Sequence, residues 1–220
     1  MKKHPVPIPP FASLFLLAGL ITALPAAELT CTLTNAKGGD PLAEASVALL
    51  PLDQPAPAVA AGTEIEIAQE DQEFSAFLTI VQTGTKVVLP NRDNVQHHVY
   101  SLSRPRRFEL PLYNPGQTES IVFELEGQVT IGCNIHDWMI SHVVVVPTPW
   151  FAKTDAEGAA RLTAPPGRYR LEIWHPRMAK PDSREITLTE GTPGQQAISL
   201  ALKPDRRVRR SLGGKTGGYR

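Results

Sequence analysis

Apolar and polar residues alternate at period two along much of this chain. Leu29, Cys31 and Leu33 are separated by threonines, and Val129, Ile131 and Cys133 repeat the pattern, as do Tyr169, Leu171 and Ile173. Ile65 with Ile67 and Val87 with Leu89 give shorter versions, and His142 to Val146 is a β-branched run. Strict alternation puts one set of side chains on a core face, so Cys31 reads as a small hydrophobe in a strand. Turn signals separate the runs: Thr83-Gly84, Asn114-Pro115-Gly116, Asp155 to Gly158, and Pro165-Pro166-Gly167. No capped helical period follows the N-terminal apolar run, and 21 prolines oppose long helices. The expected class is all-β, built from sandwiches.

A length of 220 residues allows one or two domains with enough core to fold unaided. Basic and acidic side chains number 22 each, so no general attraction to nucleic acid is implied. The balance is uneven, because residues 203–220 carry lysines and arginines among glycines with Asp205 as the one acid. That stretch has too little apolar content to fold and reads as a solvated tail, or as a docking arm for an acidic partner or anionic membrane. At the other end, Lys2 and Lys3 precede an apolar run from Phe11 to Leu24 and small residues at Ala23, Ala26 and Ala27. This is the order of an export signal, residues 1–27, too short for a membrane span. Thr30 before Cys31 is a poor match to a lipoprotein cleavage site. The expected compartment is a bacterial periplasm.

The chemistry concentrates in Gly132-Cys-Asn-Ile-His-Asp-Trp-Met139, where two residues separate Cys133 from His136 and two more separate His136 from Met139. Hard cations want oxygen, so a thiolate, an imidazole and a thioether point to a softer ion. Zinc would favour a fourth strong donor, and thioether is a poor one. Copper held by two histidines and a cysteine, with a weak axial methionine, fits the set. The second imidazole would come from His97 or His98. Val95, His97 and Val99 share a strand face, which favours His97 for the pocket and turns His98 away. The competing account of the cysteines is one disulfide between Cys31 and Cys133.

These residues carry a family resemblance. Residues 65–147 resemble a cupredoxin, the single-copper β-sandwich of plastocyanin and amicyanin. Asn91-Arg-Asp-Asn-Val-Gln-His97 is similar to the segment in which an asparagine stands six positions before the first ligand histidine, and Cys133 to Met139 matches the short ligand loop of amicyanin in length. The resemblance implies one copper ion with His97, Cys133 and His136 as strong ligands and Met139 as the weak axial one. It implies one-electron transfer, with the ring edge of His136 at the surface beside Trp138. A quinoprotein dehydrogenase and a c-type cytochrome are the partners it implies, by analogy alone. Two positions depart from the family: His98 stands where asparagine is usual, and Asp137 where amicyanin has proline.

Residues 29–50 resemble the opening of a carboxypeptidase regulatory-like domain, a transthyretin-type sandwich, and residues 154–169 resemble its later strands. Joined, the flanks would form one small sandwich, 28–58 with 148–202, interrupted by a copper module, 59–147. This pairing resembles that of bacterial methylamine-utilisation and plastocyanin-like proteins. Alternatively the flanks extend the sheets of the copper module. Three functions remain from the sequence: an electron carrier, a copper delivery or storage protein, and an interaction module with structural copper. His142 and His175 read as surface positions rather than a second metal site with His98, and Glu124 and Glu126 as solvated strand positions. With no further histidine cluster and no catalytic triad in view, an enzyme is not expected.

Overall fold

In the computed structural model, which describes residues 26–205, the chain is all-β. β1 (Ala27–Asn35) and β2 (Ser46–Pro51) come first. The middle holds β3 (Glu64–Glu66), β4 (Gln69–Glu70), β5 (Glu73–Phe74), β6 (Leu78–Gln82), β7 (Lys86–Pro90), β8 (Val99–Ser101), β9 (Phe108–Glu109), β10 (Thr118–Val122), β11 (Gly127–Cys133) and β12 (Ile140–Val146). β13 (Phe151–Lys153), β14 (Ala159–Ala164), β15 (Gly167–Trp174), β16 (Asp182–Leu188) and β17 (Gly194–Leu200) close the order. The export-signal segment lies outside the described residues except for its last two, and Ala27 there opens β1 opposite Ala164. The basic tail from Arg206 onward also lies outside them.

Among the described residues, four larger sheets stack around three cores, and β4 and β5 form a separate two-stranded hairpin. A sheet ordered β14-β1-β17 faces one ordered β13-β2-β15-β16, and between them lie Leu29, Cys31, Leu33, Val47, Leu49, Tyr169, Leu171 and Ile173. The period-two faces of β1 and β15 are therefore the core faces the alternation requires. A sheet ordered β10-β7-β3 faces one ordered β6-β12-β11-β8-β9, enclosing Val87, Leu89, Val99, Phe123, Val129, Ile131, Cys133 and Met139. Among the described residues, no sheet mixes strands of residues 27–51 or 151–200 with strands of residues 64–146.

The third core joins the two halves. Ala48 and Leu50 of β2 and Trp174 of β15 pack against Leu78 of β6 and Val144 and Val146 of β12. Both β2 and β12 are thus covered on two faces, which is why each reads as a continuous apolar run instead of alternating. Each valine or leucine here gains about 1.5–3 kcal/mol from full burial, so this seam favours contact between the sandwiches.

Four expectations need correction. Ile65, expected beside Ile67 on a core face, is 38% exposed, because β3 is a three-residue edge strand that ends before Ile67 turns inward. Glu124 and Glu126 are exposed as expected but sit in the connection between β10 and β11. His175, read as a surface position, is 6% exposed, sunk where the sandwiches meet. The cysteines form no disulfide: Cys31 lies in the first core and Cys133 in the second.

Candidate metal centre

Two chain segments deliver the expected ligands. The first leaves β7 at Asn91, a buried residue whose side chain folds the segment. Its Oδ1 accepts from the backbone N–H of Asp93 at 3.0 Å, while its Nδ2 donates to the carbonyls of Val95 (2.8 Å) and Tyr113 (3.3 Å). This explains the spacing from Asn91 to His97, since the amide holds the turn that swings the imidazole inward. Reciprocal backbone bonds between His97 and Tyr113 then fix the register of His97.

The second segment is the loop from β11 to β12. The N–H of Met139 donates to the carbonyl of His136 at 3.0 Å, and the N–H of Cys133 to the carbonyl of Met139 at 3.3 Å. The loop is closed on itself, and Cys133 and Met139 both enter the second core. His136 stands between them, partly exposed.

The three strong donors converge. Cys133 Sγ lies 3.6 Å from His97 Nδ1 and 3.8 Å from His136 Nδ1, and all three atoms are within 4.8 Å of one another. The imidazole rings are 5.1 Å apart, tilted at 54°. An ion bonded to imidazole nitrogen at about 2.0–2.1 Å and to thiolate at about 2.3 Å, with about 110–120° between bonds, separates sulfur from nitrogen by roughly 3.6–3.8 Å. The residues fit a metal, and their chemistry selects a soft or borderline one. His97 is 0% exposed and Cys133 4% exposed, so the donors are held out of bulk water.

A supporting carboxylate escaped the sequence reading. Asp93 Oδ2 accepts from His97 Nε2 at 2.7 Å, which places the ring proton on Nε2 and leaves the Nδ1 lone pair toward the sulfur. Both oxygens of Asp93 also accept from the N–H of Gln72, at 3.0 and 3.2 Å, at the tip of the β4–β5 hairpin. Tyr113, buried beside the site, donates to Gln69 Oε1 in that hairpin. Burial and the nearby Cys133 push its phenol well above the ordinary range. The position of Asp93, four residues before His97, was the one available signal.

His98 turns away from the site, as strand parity requires. Its Nδ1 accepts from Asn134 Nδ2 at 3.3 Å and its Nε2 lies 3.1 Å from Glu109 Oε1. The backbone N–H of Asn134 also donates to the carbonyl of His98 at 2.9 Å, so the residues that follow Cys133 and His97 are tied to one another. Asp137 is exposed, and Trp138 packs its ring 5.3 Å from that of His136. His142 and His175 both line a cleft of about 590 Å³ between the sandwiches, whereas His98 lines another cavity, so the three are not brought together.

No family model matches the chain, and no curated relative does. Solved structures similar to part of it include a reduced amicyanin carrying one tryptophan-to-tyrosine substitution, 24% identical with a TM-score of 0.36, covering 46% of this chain and 98% of that one. A purple cupredoxin from Nitrosopumilus maritimus is 26% identical with a TM-score of 0.33, covering 38% of this chain and 99% of its own. A copper-containing nitrite reductase (NirK) from Thermus scotoductus SA-01 is 23% identical with a TM-score of 0.36, covering 44% of this chain and 27% of its own.

Proposed function

We propose that this chain is a periplasmic carrier of single electrons that holds one copper ion on His97, Cys133, His136 and Met139. The observation that carries this reading is the placement of one sulfur and two imidazole nitrogens at separations of 3.6 and 3.8 Å. Bound there, copper would supply a one-electron couple between Cu(II) and Cu(I). The chain supplies the rest: Cys133 a thiolate, Asp93 the tautomer of His97, and the loop bonds of Cys133 and Met139 a shape fixed in advance. A pocket fixed in advance needs little rearrangement when the charge changes, which suits electron transfer. The partly exposed ring of His136, with Trp138 against it, would give electrons their route to the surface. The cupredoxin resemblance makes a quinoprotein dehydrogenase and a c-type cytochrome the proposed partners.

The separate cores support two domains, a copper module over 59–147 and a carboxypeptidase regulatory-like sandwich from 28–58 and 148–202. A delivery or storage protein needs an exchangeable site, and burial of three of the four side chains disfavours that. The line Cys133–His97–Asp93 also has the order of nucleophile, base and orienting acid. A second imidazole on the same buried sulfur is surplus to such a triad, which favours a metal site over an enzyme.

One experiment tests the reading. Copper-loaded protein is expected to absorb intensely in the visible and to give a Cu(II) paramagnetic resonance signal, both lost in Cys133→Ala. A colourless product after loading, or colour unchanged by that substitution, would overturn it.

A further inference from the structure

We infer that Arg104, Arg106 and Arg107, on the loop between β8 and β9, form a docking surface for the acidic face of a protein redox partner. The inference rests on the carrier reading and names a second contact surface for it. Of the other described arginines, Arg92, Arg168, Arg170 and Arg184 each meet a carboxylate at 2.7–3.8 Å, Arg177 donates to the carbonyl of Lys203, and the single Arg161 meets no carboxylate. Among the described residues, Arg104, Arg106 and Arg107 have no such partner, and Nε of Arg106 is enclosed with no acceptor. Three like charges within four residues of chain meet no carboxylate, so ion pairing inside the fold does not account for them.

The loop is nonetheless rigidly seated. Ser103 Oγ accepts from the N–H of Thr130 at 2.9 Å, and Ser101 Oγ from the N–H of Ser103 at 3.2 Å. Pro105 lies against Gly127, where an added Cβ would come within 2.7 Å of the proline ring at a φ of +133°. Thr130 and Gly127 belong to β11, the strand that ends at Cys133. Arg107 and the 69% exposed Leu102 line a cavity of about 370 Å³ whose other walls include His98 and Asn134. His98 follows one proposed ligand and Asn134 follows another, so an acidic surface seated here would lie a residue away from the donor set. Glu109, the acid lining this cavity, is already engaged by His98. An exposed leucine among arginines is the mixture that anchors protein interfaces, and guanidinium forks match carboxylates bidentately.

The test uses the full-length chain and a c-type cytochrome of net negative charge. Backbone amide shifts of the metal-free chain, titrated with the cytochrome, are expected to move at residues 102–109 and at Asn134. The electron-transfer rate constant of copper-loaded protein at low ionic strength is expected to fall about tenfold or more in Arg104→Glu/Arg107→Glu, with a flattened salt dependence. Arg161→Glu, an exposed arginine on β14, is expected to stay within about twofold. Shift changes centred elsewhere, or an equal loss in Arg161→Glu, would overturn the surface. So would loop variants that lose binding to phosphatidylglycerol vesicles while keeping the cytochrome. A chain that takes no copper yet shifts at 102–109 removes the carrier reading and keeps the surface.

Discussion

The indole N–H of Trp138 donates to the backbone carbonyl of Gln72 at 2.9 Å, across 66 residues of sequence. The N–H of the same Gln72 donates to Asp93, which holds His97, while Trp138 packs on His136. One peptide at a hairpin tip therefore links the two histidine arms of the site. Gln72 does this at a φ of 57° and its neighbour Asp71 at 54°, the left-handed region that side chains enter at a cost. Gln72→Gly keeps both backbone bonds and relieves that cost, so stability is expected to change by less than about 1 kcal/mol. Gln72→Pro loses the N–H and cannot reach that φ, and is expected to cost about 3 kcal/mol or more. Urea unfolding of the two variants checks the contrast, and equal behaviour would remove the strap.

Asp93→Asn probes the other end of this link. The amide keeps the size of the carboxylate but loses its charge, and one of its two terminal atoms becomes a donor facing other donors. An amide oxygen in the place of Oδ2 would still accept from His97 Nε2 and the Gln72 N–H, but the amide NH2 in the place of Oδ1 would face that same N–H, a donor against a donor. Copper affinity, measured by competition with a chelator, is expected to fall about 10–100-fold, with the metal still bound.

The paired histidines give a comparison within one dipeptide. His97→Ala removes a donor atom 3.6 Å from Cys133 and is expected to abolish the visible band. His98→Ala removes bonds to Asn134 and Glu109 at a partly exposed position and is expected to keep the band, with about 1 kcal/mol or less lost in stability. Absorption after copper loading separates the two. A band that survives in His97→Ala and vanishes in His98→Ala would reverse the assignment.

The sequence made some of this legible and concealed the rest, for identifiable reasons. His97 was separable from His98 because strand parity is a local property, and Val95 and Val99 report it. Cys31 was legible as core because β1 is covered on one face only. The two-sided burial of β2 and β12 was not, since a continuous apolar run says that both faces are covered without saying by what. Asp93 and Gln72 were hidden for a different reason. Their contact joins a hairpin and a loop 21 residues apart, and a glutamine at positive φ carries no glycine or asparagine as a signal. Ile65 misled because alternation cannot show where an edge strand stops.

Cys31 gives a dependence on pH that is separate from the metal. Burial pushes its thiol from 9.0 up to about 11, with the charge of Arg184 opposing weakly. The folded state therefore keeps this proton over a range in which the unfolded chain has lost it. Protons bound to the unfolded state are then fewer than those bound to the folded one, and stability falls as pH rises. The contribution is complete below pH 9 and is lost as pH climbs through 11. In Cys31→Ala the decline between those values is expected to flatten, even though the small cavity lowers stability at neutral pH. Tyr113 and Tyr169, whose phenols are also raised by burial, leave a residual slope at the alkaline end. Urea midpoints at pH 7 and pH 10 measure the difference. An identical alkaline loss in Cys31→Ala would assign the whole effect to the tyrosines.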